Sequence, residues 1–155
     1  MKKTLAALAG ALVALPVLAA GPQGFAAALQ FNPEVSVEEN KVNMIHELDN
    51  VKAGQVTYAV RDTSLNGFSI SKGDVIGLDD KKILAKSQNI PDTVLKLLNK
   101  MKEDSHEMIT LYYGEGISEE DAAALAAQIG EKYPDCDVDF HFGGQPVYYY
   151  IISLE

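Results

Sequence analysis

His141-Phe142-Gly143-Gly144-Gln145-Pro146-Val147-Tyr148-Tyr149-Tyr150-Ile151-Ile152-Ser153-Leu154-Glu155 is rich in aromatic and β-branched residues. Such residues favour a half-buried pleated surface, so Tyr148 to Leu154 is predicted to be a strand inside the fold. Consecutive strand residues face opposite ways. The three tyrosines are therefore divided, with at least one filling the core. Gly-Gly-Gln-Pro and the other tyrosines are candidates for a surface that something binds. Just upstream, Cys136 to Phe142 alternates polar and apolar residues, a strand with Val138, Phe140 and Phe142 on one face. One Gly-Gly turn separates the two strands, which are expected to pair.

Working back along the chain, Ser118 precedes Glu119, Glu120 and Asp121, a cap and an acidic first turn that open a helix. Leu125, Ala126, Ile129 and Tyr133 form its buried side, and Pro134 stops it. Met108 to Tyr113 is apolar on both faces, as in a helix-covered central strand. Pro91 starts a helix through Val94, Leu95, Leu97, Leu98 and Met101 to about Lys102. Val75–Leu78 and Lys82–Lys86 flank Asp79-Asp80-Lys81, a β-hairpin whose charges protect an edge. Asn66-Gly67 is a turn signal. Gln55 to Arg61 reads as a strand, with Gly54 ending the helix before it. That helix spans residues 37–51, opened by the capping box Ser36…Glu39. Its stripe of Val37, Met44, Ile45, Leu48 and Val51 is expected to be buried. Residues 25–31 form a short apolar helix that Asn32-Pro33 stops. These elements predict an α/β (or α+β) fold, a mixed β-sheet with packed helices and a β-hairpin.

The 155 residues are 47% hydrophobic and 23% charged, enough for one domain with a core. Net charge is −9, and beyond residue 20 the count is 11 basic against 22 acidic residues. That balance argues against nucleic acid or an anionic membrane as partner. Cys136, the lone cysteine, forms no intramolecular disulfide, and the flanking Asp135 and Asp137 oppose its thiolate. His46, His106 and His141 show no ligand spacing, so neither metal nor cofactor is expected. Gly114-Glu115-Gly116 between strand and helix has the outline of a phosphate cradle. It lacks the third glycine and the Gly-Lys-Ser/Thr step, and the acidic helix start would repel phosphate. The acidic pairs Glu38/Glu39, Asp79/Asp80 and Glu119/Glu120 fall on polar turns. No nucleophile elbow is present, so no catalytic residue is assigned. Arg61-Asp62, at a strand end, is read first as a local ion pair or turn, with Arg61 as a candidate ligand contact beside that reading.

Met1-Lys2-Lys3 and the apolar run Thr4–Ala20 have the parts of a secretory signal, with small residues at Val17 and Ala19. At 17 residues with Pro16 inside, the run is marginal as a membrane span. The alternatives are a buried strand over Ala11–Leu18 or a start not native to the rest. Residues 1–20 are thus a signal-like or replaced segment, and 21–155 the domain.

Several stretches together resemble the C-terminal region of bacterial fatty acid kinases of the FakA/YloV type. They are Pro22-Gln23-Gly24 with Phe31-Asn32-Pro33, Gly54 to Asp62, Gly73 to Leu78, Tyr112-Tyr113-Gly114-Glu115, and Gly143-Gly144-Gln145-Pro146 with Tyr150-Ile151-Ile152-Ser153. The resemblance runs in order from about residue 21 to 155. It implies a whole protein that phosphorylates fatty acid carried by a separate DegV/FakB-type fatty-acid-binding protein. ATP and magnesium would sit in an N-terminal dihydroxyacetone-kinase-like domain that has no counterpart here. The C-terminal region would be non-catalytic, cytoplasmic and a docking module with a fold like that of its partner. Under this reading Arg61, Gly143, Gly144, Gln145, Pro146, Tyr148 and Tyr150 are the partner-binding candidates. An exported small α/β binding domain with a cleaved signal peptide is the alternative.

Overall fold

A computed structural model describes residues 27–28, 30–65, 67–79 and 82–155. The signal-like segment 1–20 and Pro22-Gln23-Gly24 lie outside the described residues. The chain divides into two units, Met1–Lys52 and Ala53–Glu155, each taken by itself below.

In the first unit, Ala27 and Ala28 are helical, and Gln30 and Phe31 donate their N–H groups to Ala27 O and Ala28 O. Asn40 then ties the following turn. Its Oδ1 accepts from Asn32 N–H and its Nδ2 donates to Asn32 O, both at 2.7 Å. Helix α1, Val37–Asn50, begins at Ser36, whose Oγ accepts from Glu39 N–H at 3.1 Å. The helix forms where its cap and periodicity predict. Of its apolar stripe Val51, at the C-cap, is 2% exposed and Met44 half-buried, whereas Val37 is 78%, Ile45 50% and Leu48 36% exposed. Periodicity shows that a helix has an apolar face and is silent on what covers it.

The second unit is a six-stranded mixed sheet of order β5-β4-β1-β8-β6-β7. Its strands are β1 Lys52–Tyr58, β4 Val75–Asp79, β5 Lys82–Ser87, β6 Met108–Tyr113, β7 Asp137–Phe142 and β8 Tyr150–Leu154. β2 Thr63–Leu65 and β3 Phe68–Ile70 form a separate antiparallel pair, with Gly67 between them at φ +80° and Asn66 outside the described residues. β4 pairs antiparallel with β1 and β5, and β5 is an edge, as its charges predict. β1 begins and ends three residues earlier than expected, so Arg61 lies beyond the strand in a bend. Gly54 does not end a helix. It lies in β1, where an added Cβ would come 2.8 Å from Met101 Sδ. The bare backbone there leaves room for the end of the Met101 side chain.

Helix α2, Ile90–Met101, is capped by Asn89, with Pro91 in its first turn. It buries Val94, Leu97, Leu98 and Met101. Helix α3, Glu119–Lys132, has the predicted Ser118 cap and buries Ala122, Leu125, Ala126 and Ile129. These residues share one core with Val56, Val75, Ile109, Leu111, Tyr150, Ile152 and Leu154 of the sheet. A smaller cluster of Ala59, Ile70 and Ile83 underlies the β2–β3 hairpin.

The expected pairing of β7 with β8 does not occur. β6 lies between them, parallel to β7 and antiparallel to β8. Burial explains the order. β8 is apolar at all positions but Ser153 and nearly enclosed, which suits an interior strand. β7 exposes Asp137, Asp139 and His141 on alternate positions, which suits an edge. Val138 and Phe140 are half-buried as expected, but Phe142, at the strand end, is 65% exposed.

Candidate functional site

Because β6 separates β7 from β8, residues 143–149 must cross over the end of β6. Two motifs distant in sequence thereby meet. Gly143 N–H donates to Tyr113 O at 2.9 Å, and Gln145 Nε2 donates to Tyr112 O at 2.7 Å. In return, Gly114 N–H donates to Tyr149 O at 3.0 Å and Glu115 N–H to Gln145 O at 3.1 Å. Gly114 is the seat of this clasp. A Cβ there would lie 2.5 Å from Gln145 O and closer still to Tyr148 O. Gly144 turns the chain at φ +66°, a left-handed conformation that glycine adopts without strain. Tyr149 N–H then donates to Val56 O, and Thr57 Oγ1 to Val147 O, both at 2.8 Å, fastening the crossover to β1.

The clasp carries aromatic and apolar groups outward. Tyr58 and Tyr149 rings lie 6.0 Å apart, and Phe142 packs 5.5 Å from Tyr113. Phe142, Val147 and Tyr58 are exposed, as is Pro146, and Tyr148 is half-buried. Tyr150, by contrast, is only 2% exposed and belongs to the core. It is the tyrosine that fills the interior and is not presented to a partner. Gly143 and Gln145 hold the clasp together from within. Arg61 is exposed in its bend, and Asp62 beside it accepts from Lys72 N–H at 2.7 Å, a turn-forming contact.

Beside the clasp lies a pocket of about 320 Å³ lined by Ile90, Pro91, Ile117, Asp121, Leu125 and Tyr150. Burial pushes the Tyr150 phenol up to about 12, helped by the charges of Asp121 and Tyr113. It is a neutral hydrogen-bonding group at physiological pH, not a base. Gly114-Glu115-Gly116 is a turn that seats the crossover, followed by the acidic start of α3. Among the described residues no group of three His, Cys, Asp or Glu side chains could hold a metal ion. Cys136 is buried, its thiol donating to His106 O at 3.3 Å. No helix among the described residues is long and apolar enough to cross a membrane. Sequence reasoning missed Phe142, Val147 and Tyr58 as exposed groups, and Gly114 as the seat. The Tyr-Gly-Glu step directly after a strand was the available signal for the latter.

The site is built of main-chain clasps and outward apolar groups. Residues 19–155 match the family of FakA-like C-terminal domains of fatty acid kinase, and the chain belongs to that family. Protein YloV of Bacillus subtilis strain 168 is 42% identical over 134 residues, covering 86% of this chain and 24% of that protein. An uncharacterized protein of Staphylococcus aureus strain MRSA252 is 40% identical, with the same coverages. The chain thus spans about a quarter of the length of the curated relatives it matches. Among solved structures, a fatty-acid-binding DegV family protein from Thermus thermophilus aligns with a TM-score of 0.53. It is 11% identical, and the alignment covers 87% of this chain and 56% of that one, a likeness of fold.

Proposed function

We propose that this chain is a docking domain that binds a fatty-acid-binding protein of the DegV type and presents it to a fatty acid kinase domain. The domain itself transfers no phosphate. The observation that carries this reading is membership, over residues 19–155, of the FakA-like C-terminal family of fatty acid kinases. A fold shared with a DegV protein supports it, because related folds offer related surfaces for packing against one another. The surface assigned to docking is the crossover, with Phe142, Pro146, Val147 and Tyr148, together with Tyr58 and Arg61. Exposed apolar groups beside a rigid main-chain clasp are the anchors such an interface needs. The cytoplasm, where ATP is available, is the proposed compartment.

Isothermal titration of the chain with a DegV-type protein loaded with fatty acid tests the reading. Saturable binding is expected, weakened at least roughly tenfold by Phe142→Ala with Val147→Asp, the scale of one or two interface anchors. No binding at concentrations where a full-length relative binds would sink it.

A further inference from the structure

The pocket beside the clasp has a floor that the fold leaves unfinished. Every residue that lines it belongs to the second unit. Tyr150 is only 2% exposed, yet its hydroxyl has no hydrogen-bond partner among the described residues. Asp121 acts on that phenol through space, by its charge and not by a hydrogen bond. The walls, Ile90, Pro91, Ile117 and Leu125, are apolar and offer the hydroxyl nothing. A polar atom enclosed in this way costs free energy unless something entering the cleft completes it.

The rim decides the charge of what enters. Asp121 is the one charged lining residue, and no basic side chain among the described residues joins it. Ser118 Oγ donates to Asp121 Oδ2 at 2.6 Å, which leaves Oδ1 without a partner among the described residues. Glu119 and Glu120 share the same helical turn, so an anion is repelled. Their charges also offset the helix N-terminus that would otherwise attract one. The group that fits has hydrogen-bond donors and positive charge at its tip and an apolar stem. At about 320 Å³ the cleft stands at the lower bound of small-molecule sites and suits one long side chain. Arginine's planar fork reaches a carboxylate and a phenol oxygen together, whereas the lysine ammonium is a strongly hydrated point charge.

The cleft is continuous with the surface assigned to docking. Tyr150 stands opposite Tyr113 in the sheet register, and the Tyr113 ring lies 5.5 Å from the exposed Phe142. No outer surface of Tyr150 faces a partner, and its hydroxyl is reached only by a group that enters the cleft. We infer, on the docking reading above, that the partner inserts one arginine here, its guanidinium donating to Asp121 Oδ1 and the Tyr150 hydroxyl oxygen and its methylenes lying on Ile117 and Leu125. A buried arginine of this kind is a common anchor of protein interfaces. The net charge of −9 draws a cationic side chain toward the chain.

Isothermal titration of the full chain with the DegV-type protein loaded with fatty acid tests this, with circular dichroism confirming that each variant folds. Tyr150→Phe keeps the ring in the core and removes only the hydroxyl, and Asp121→Asn removes the charge. Each should weaken binding at least roughly tenfold, the scale of a hydrogen bond to a charged group. Glu131→Gln, at the far end of α3, should leave binding unchanged. Replacing the partner's surface arginines with alanine one at a time should find one whose loss does not add to that of Asp121→Asn. Binding that survives both Tyr150→Phe and Asp121→Asn overturns the arginine and leaves docking at the crossover standing. So does full additivity of Asp121→Asn with every partner arginine. No binding by the unaltered chain overturns the docking reading and the arginine together.

Discussion

Gly114→Ala puts one methyl group into the clasp. The methyl would stand 2.5 Å from Gln145 O, where 3.0 Å is the floor for a real Cβ, and nearer still to Tyr148 O. Gln145 O must therefore retreat by about 0.5 Å and Tyr148 O by more. Both atoms are main chain, so no side-chain rotation relieves the clash. Overpacking of this kind costs about 1–3 kcal/mol. The same movement stretches the bonds from Glu115 N–H to Gln145 O, Gly114 N–H to Tyr149 O and Gln145 Nε2 to Tyr112 O, each contributing about 1 kcal/mol. A total of about 2–4 kcal/mol follows, or roughly 10–20 °C in Tm for a unit near 100 residues. Gly116→Ala, two positions on, is the internal control. A Cβ there meets nothing within 4 Å, and a change of less than about 3 °C is expected. Thermal and urea unfolding followed by circular dichroism measure both. If Gly114→Ala melts within about 2 °C of Gly116→Ala, the crossover does not rest on Gly114 and the reasoning is refuted.

Three other outcomes are expected. Gly130→Ala, inside α3 with its nearest neighbour Val138 Cγ2 at 4.0 Å, should stabilise by roughly 0.5–1 kcal/mol in urea unfolding, because alanine loses less backbone freedom in a helix. Lys86, the Ser71 N–H and Gln88 hold the buried Asp74 carboxyl below its ordinary 3.8. The unfolded chain then takes up the proton first, so this contribution is present above pH 3.8 and lost as pH falls through the folded value. Asp74→Asn should flatten that part of the acid limb in urea midpoints measured from about pH 6 down to about pH 3. Tyr150 ionises near 12 in the fold against 10 in the unfolded chain. Stability should therefore fall as pH rises from 10 to 12, and Tyr150→Phe should remove both that loss and one late step in the phenolate absorbance titration.

Much of the fold is legible in the sequence because its signals are local. Ser118 caps one helix and Pro91 opens another, and the 3.6-residue spacing of Leu97, Leu98 and Met101 identifies a buried face. The Val75–Ser87 hairpin is written in its charged turn. What escapes a reading of the sequence depends on neighbours distant in the chain. The Gly-Gly turn looks like a tight hairpin, but the insertion of β6 is decided by which strand needs both faces covered. Gly54 looks like a helix stop, whereas its role is set by Met101. β1 starts early because Lys52 and Ala53 join the strand despite weak strand propensity. For the site, Gly-Gly-Gln-Pro stands out as a motif. That its glutamine faces inward to Tyr112, and that Phe142 faces out, follows only from the crossover.

The position of β8 has a consequence for how the molecule forms. β8 joins the β5-β4-β1 half of the sheet to the β6-β7 half, and the crossover leading into it bonds to residues about ninety positions earlier, as Tyr149 does with Val56. Each half is built from nearer neighbours and closes at low entropic cost, while the seam waits on the most distant contact in the unit. On the ribosome the two halves would stand ready but unjoined until Tyr150–Leu154 leaves the exit tunnel. Only then can the sheet become one body, with the interior edges of β1 and β6 open to stray strands until that moment.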